Sequence, residues 1–106
     1  MSAYIVFNYV ITDRSRIDEL TRQSILVNEQ YGAKVMVGSP VKPVEGKALP
    51  NMVILEFSNF EAAQKYYHSP EHQVLTKLRN EITEGWATIV PGDSETQAIV
   101  ESGYFK

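Results

Sequence analysis

The stretch "YIVFNYVI", Tyr4 to Ile11, sets the hardest constraint on this chain. It is β-branched and aromatic, which favours a strand. Residues of a strand point alternately to two faces. Ile5, Phe7, Tyr9 and Ile11 share one face, and Tyr4, Val6, Asn8 and Val10 share the other. Both faces are largely apolar, so any fold built on this strand must cover the sheet on two sides or leave one side for a partner.

The remaining elements follow from periodicity and punctuation. Thr12-Asp13 supplies a helix N-cap, and Ile17, Leu20, Ser24, Val27 and Tyr31 form a stripe at helical spacing up to Gly32. Ala33 to Val37 reads as a short second strand. A loop follows over residues 39–51, broken by Pro40, Pro43 and Pro50, with room for a small edge strand near Val41 to Glu45. Met52 to Phe57 is a third strand. Ser58-Asn59-Phe60-Glu61 reads as a capping box that opens a helix to about Tyr67. Ser69-Pro70 starts another helix, with Ser as N-cap, Pro at the first helical position and Glu71 in the first turn. Its expected apolar face is Val74, Leu75, Leu78 and Ile82. Trp86 to Val90 is the last strand, closed by Pro91-Gly92.

The order β-α-β-β-α-β is the ferredoxin-like, α+β plan. One domain is expected over residues 1–92. Residues 93–106 read as a C-terminal tail, whose Ala98, Ile99, Val100, Tyr104 and Phe105 would pack on its own or a neighbouring subunit. Two helical layers cover one face of a four-stranded sheet. The other face is expected to pack on the same face of a second subunit, giving a dimeric α/β barrel; the alternative is a tail folded over the sheet.

Composition narrows the function classes. The formal net charge is −3 and no Lys/Arg cluster interrupts it, which argues against a nucleic-acid partner. The absence of cysteine removes disulfides and thiolate chemistry and suits a reducing cytoplasm. The N-terminal apolar run is too short for a membrane span and lacks the flanks of a signal peptide. A soluble, cytoplasmic protein is expected.

"YYHSPEHQ", Tyr66 to Gln73, holds two histidines four apart, in the H-x-x-E-H pattern of inverted zincins. That chemistry needs both histidines on one continuous helix. Pro70 breaks it, leaving His68 outside the helix that carries His72, and no third ligand is evident. No metal and no cofactor are expected. His72, Thr76 and Arg79 lie along one helical stripe. It reads most simply as a solvated face and alternatively as part of a site.

"SPEHQ" resembles the Ser-Pro-Glu-Tyr-Gln signature of a bacterial family of small dimeric α/β-barrel proteins, the domain of unknown function numbered thirteen-thirty. Asp13, Tyr31-Gly32, Glu45-Gly46, Glu56-Phe57, Arg79 and Gly92 agree with it in order, over about residues 3–92. The chain departs from the family pattern at Gly32-Ala33-Lys34 (usually Gly-Gly-Arg), at Tyr66-Tyr67 (usually Trp-Tyr) and at His72 (usually Tyr). The resemblance implies the fold and a homodimer. It implies no activity, although related barrels include cofactor-free monooxygenases and small-molecule isomerases.

The residues themselves motivate a small-molecule site between sheet and helices. Asn8 and Glu56 interrupt apolar strands and are expected to face one cleft. There Glu56 would shuttle a proton, and Arg79 would pair with it or hold an anionic ligand. His72 is expected to titrate near neutral pH, and Trp86 to line the pocket for an aromatic or carboxylate molecule. The competing readings are an assembly protein without chemistry, whose sheet interface would be packed solid, and a cofactor-free oxygenase.

Overall fold

The structure, a computed structural model, describes residues 2–103. Four antiparallel strands form one sheet in the order β2-β3-β1-β4: β1 is Ala3–Ile11, β2 Lys34–Gly38, β3 Asn51–Phe57 and β4 Thr83–Pro91. A 3-10 turn at Arg14–Arg16 leads into α1, Ile17–Tyr31. Helices α2, Phe60–Tyr67, and α3, Pro70–Ile82, are consecutive, and α4 spans Asp93–Glu101. The βαββαβ plan of the sequence is present, with one helical element more than expected.

Register fixes the two sides of the sheet. Ile5 lies between Leu55 and Ile89, and Phe7 between Val53 and Ala87. This side carries the core: Ala3, Ile5, Phe7, Leu55 and Phe57 with Phe60, Ala63 and Tyr66 of α2. Val6 lies between Ile54 and Thr88, and Asn8 between Met52 and Trp86, on the opposite, open side.

Local chemistry places most of the helix ends. Gly32 closes α1 at φ 69°, a left-handed conformation that a side chain would strain. Ser69 caps α3, its hydroxyl accepting from the His72 N–H at 3.1 Å, with Pro70 at the first position. The cap of α2 is Asn59 rather than Ser58: its side chain accepts from the Ala62 N–H at 2.8 Å. Asn and Ser cap equally well, and the chain uses the one a residue nearer the helix.

Two expectations are corrected, and part of the tail takes on a definite structure. Residues 93–101, read as tail, form α4, and Ile99 packs against the helix-side core; Tyr104 and Phe105 lie outside the described residues. No strand forms near Val41 to Glu45, where Pro40 and Pro43 remove backbone donors. Val74 is 61% exposed, because the buried stripe of α3 runs through His72, Leu75, Leu78 and Ile82. Among the described residues, no helix is long and apolar enough to cross a membrane.

Candidate functional site

Between the sheet and helices α1 and α3 lies a cleft of about 260 Å³. Its apolar walls include Phe7, Leu20, Val35, Val53, Leu55 and Leu75, and its polar groups include Ser24, Asn28, His72, Arg79 and Thr83. A second cleft of about 130 Å³ adjoins it, bounded by Tyr67, Thr76, Asn80, Gly85, Trp86 and Ala87. The two share Phe7, Tyr9, Arg79 and Thr83, so Arg79 lines both. Gly85 admits no larger residue, since a Cβ there would collide with the Asn8 carbonyl oxygen.

The corner between α2 and α3 assembles the polar groups. Had the helix run on, Tyr66 and Arg79 would lie roughly 20 Å apart along its axis. Ser69 and Pro70 turn the chain instead. The His72 ring then sits 4.6 Å from the Tyr66 ring and 5.0 Å from that of Tyr67, centre to centre. His72 Nδ1 lies 3.1 Å from the Tyr67 carbonyl oxygen, which also accepts from Gln73 Nε2 at 2.7 Å. The Arg79 guanidinium carbon sits 4.6 Å above the centre of the Phe7 ring, a cation–π geometry, and an Arg79 terminal nitrogen is 3.4 Å from Thr76 Oγ1.

Electrostatics follow from burial. His72 is 1% exposed, and burial, with Arg79 as a neighbouring cation, lowers its pKa from 6.5 to about 4. It is neutral at pH 7. Burial also lowers the pKa of Arg79, against the phenols of Tyr67 and Tyr66. Tyr66 is pushed up to about 12, chiefly by burial, and donates to Asn28 Oδ1 at 2.6 Å. Among the described residues, the ion pairs within 4.0 Å are made by Arg16, with Glu19 and Glu81; Arg79 has no such carboxylate.

Comparison with known proteins now bears on this arrangement. Residues 2–93 match the family described as a domain of unknown function, DUF1330. The chain belongs to the DUF1330 family. No curated protein sequence matches it. Among solved structures, this DUF1330 domain is similar to the RPA0582 protein of Rhodopseudomonas palustris, a protein of unknown function. The TM-score is 0.68 at 15% identity, over 86% of this chain and 80% of that one. It is also similar to SnoaB, a cofactor-independent oxygenase from Streptomyces nogalater, with a TM-score of 0.58 at 6% identity over 86% and 92% of the two chains. HapK from Hahella chejuensis has a TM-score of 0.55 at 8% identity over 82% and 89%. At such identities the likeness shows the shared α+β, ferredoxin-like fold alone.

The DUF1330 domain separates the residues that the sequence grouped together. His72 and Arg79 line the helix-side cleft. Glu56 does not: it pairs in register with Tyr4 and Lys34 on the open side, where the Tyr4 hydroxyl donates to Glu56 Oε2 at 3.4 Å. The expected Glu56–Arg79 pair is therefore corrected, because the sheet lies between the two. Asn8 is also on the open side and its amide is already engaged. It donates to the Leu49 and Asn51 carbonyls at 3.0 and 2.8 Å and accepts from the Leu49 N–H at 3.0 Å. Its role here is to hold the end of the long loop, not to face Glu56 across a cleft. Trp86, opposite Asn8, is 50% exposed and touches the smaller cleft from edge strand β4.

Two further expectations change. The His72 stripe is not a solvated face, and His72 does not titrate near neutral pH; both follow from its burial. Tyr66 and Tyr67 join the clefts without a sequence signal, whereas Thr76 lies on the stripe between His72 and Arg79. His72 stands three residues before Leu75, in line with the apolar stripe, which is the signal that marked it as inward-facing. His68 lies outside α3 at the C-terminus of α2, and among the described residues no three potential metal ligands come together.

Proposed function

We propose that this protein binds or transforms a small molecule with an apolar body and an anionic group, held in the helix-side cleft by Arg79. One observation carries the reading: a guanidinium drawn under protein cover beside apolar walls, with no carboxylate in ion-pair range among the described residues. The Phe7 ring and neutral hydroxyls hold this cation without neutralising it, and an anionic ligand would add charge-assisted hydrogen bonds. The cleft, at about 260 Å³, lies just below the usual range for ligand pockets and suits a compact ligand of about one ring. Its presence also weighs against a purely structural assembly protein.

We further propose that the open sheet face mediates a homodimer. Val6, Met52, Ile54, Trp86 and Val90 form an apolar surface there, while Ile99 of α4 is directed to the helix-side core and does not supply a cover.

Calorimetric titration with phenylacetate and its neutral amide, phenylacetamide, tests the anion site. Phenylacetate is expected to bind about 10- to 100-fold tighter, the range that hydrogen bonds to a charged group supply. Arg79→Met should abolish that preference while the far-ultraviolet circular dichroism stays unchanged. Equal binding of the two compounds to the unmodified protein would refute the anion reading.

A further inference from the structure

Beside Arg79 the cleft holds a group of the opposite hydrogen-bonding sense. His72 Nδ1 faces the Tyr67 carbonyl oxygen at 3.1 Å. A carbonyl only accepts, so Nδ1 carries the ring proton and Nε2 keeps its lone pair. Burial favours the same neutral ring. Thr76 Oγ1 lies 3.4 Å from Nδ1, donates to the His72 carbonyl at 3.1 Å and lies 3.4 Å from the Arg79 terminal nitrogen. One hydroxyl thus ties the ring to the guanidinium, and both stand against Phe7.

The hydrogen bonds of His72's ring all use Nδ1, yet no buried side-chain nitrogen or oxygen among the described residues lacks a partner. Nε2 is therefore not sealed in the core. His72 as a whole is 1% exposed, and the space it borders is the cleft.

We propose that Arg79 and His72 read two groups of one ligand: a carboxylate on the guanidinium and a neighbouring hydroxyl that donates to His72 Nε2. The ligand class is a 2-hydroxy carboxylate with an apolar or aromatic substituent. This rests on the anion-binding reading above and adds the hydroxyl to it. A 2-amino acid fits worse, because its ammonium would be a second cation beside Arg79. A 2-keto acid fits worse as well, because its carbonyl oxygen would meet the Nε2 lone pair acceptor to acceptor.

The test is a titration series with phenylacetate, mandelate and phenylglyoxylate, which differ only at the carbon next to the carboxylate. Mandelate is expected to bind about tenfold tighter than phenylacetate, the gain of one buried hydrogen bond, and phenylglyoxylate no tighter than phenylacetate. In His72→Phe the mandelate preference should fall to about one while phenylacetate binding persists; His72→Gln, which restores an acceptor, should recover part of it. Equal binding of mandelate and phenylacetate to the unmodified protein overturns the hydroxyl reading and leaves the anion site standing. So does a preference that survives in His72→Phe. If phenylacetate binds no better than its neutral amide, the anion reading fails first and this one falls with it.

Discussion

The two sides of the sheet are made of the same kinds of residue and have opposite fates. Ile5 is fully buried, while Val6, its neighbour in sequence, faces the open side with Met52, Ile54 and the half-exposed Trp86. Side-chain chemistry does not separate them; what lies above each side does. The polar groups show the same thing. Asn8 is buried on the open side because the main chain at Leu49 and Asn51 closes over it. His72 is buried on the helix side because a corner in the chain folds it onto the sheet. Burial in this fold is decided by the neighbours a residue acquires, and only partly by its own hydropathy.

The sharpest way to break the comparison is a pair of substitutions on adjacent residues. Ile5→Ala should cost about 2–5 kcal/mol of stability, read from denaturant unfolding, because it opens a cavity in a closed core. Val6→Lys should leave the fold intact but shift the mass in light scattering at micromolar concentration from dimer to monomer. A dimer that survives Val6→Lys would show that the open side is not the interface.

Acid probes the helix side by way of His72. Its folded pKa of about 4 lies below the ordinary 6.5, so the unfolded chain takes up the proton first as pH falls. The contribution is complete above about pH 6.5 and is lost progressively down to about pH 4, by up to ~3 kcal/mol. Unfolding free energies measured at pH 7 and pH 5 should differ more in the unmodified protein than in His72→Phe. Equal slopes would mean that the ring is not held neutral by burial.

The smallest effect concerns the corner. Ser69→Ala removes the cap of α3 and should cost about 1 kcal/mol, read as a lower denaturation midpoint. A loss of that size together with weaker phenylacetate binding would show that the corner also aims Arg79.

Most of the element order was legible because it is written in short-range chemistry. β-Branched runs mark the strands, Gly32 ends α1, and Ser69-Pro70 starts α3. Residues 93–101 were not legible as a helix, since their few apolar positions offer only Ile99 to the core. The site was legible in pieces. The spacing of His72, Thr76 and Arg79 put them on one stripe, but polar residues in a row look the same on a wet face as in a cleft. Glu56 went to the wrong side for a different reason. Alternation tells which strand residues share a face, and it is silent on which face the helices will cover. Tyr67 contributes a backbone carbonyl, which no side-chain pattern can announce.

That carbonyl gives the corner a double office. The last turn of α2 leaves its main-chain acceptors without helical partners, and two side chains from the start of α3, His72 and Gln73, close over the one at Tyr67. The ring that lines the cleft is thus also the lid on a helix end. Under the proposed binding mode, one imidazole would hold the joint between two helices with one nitrogen and the ligand with the other.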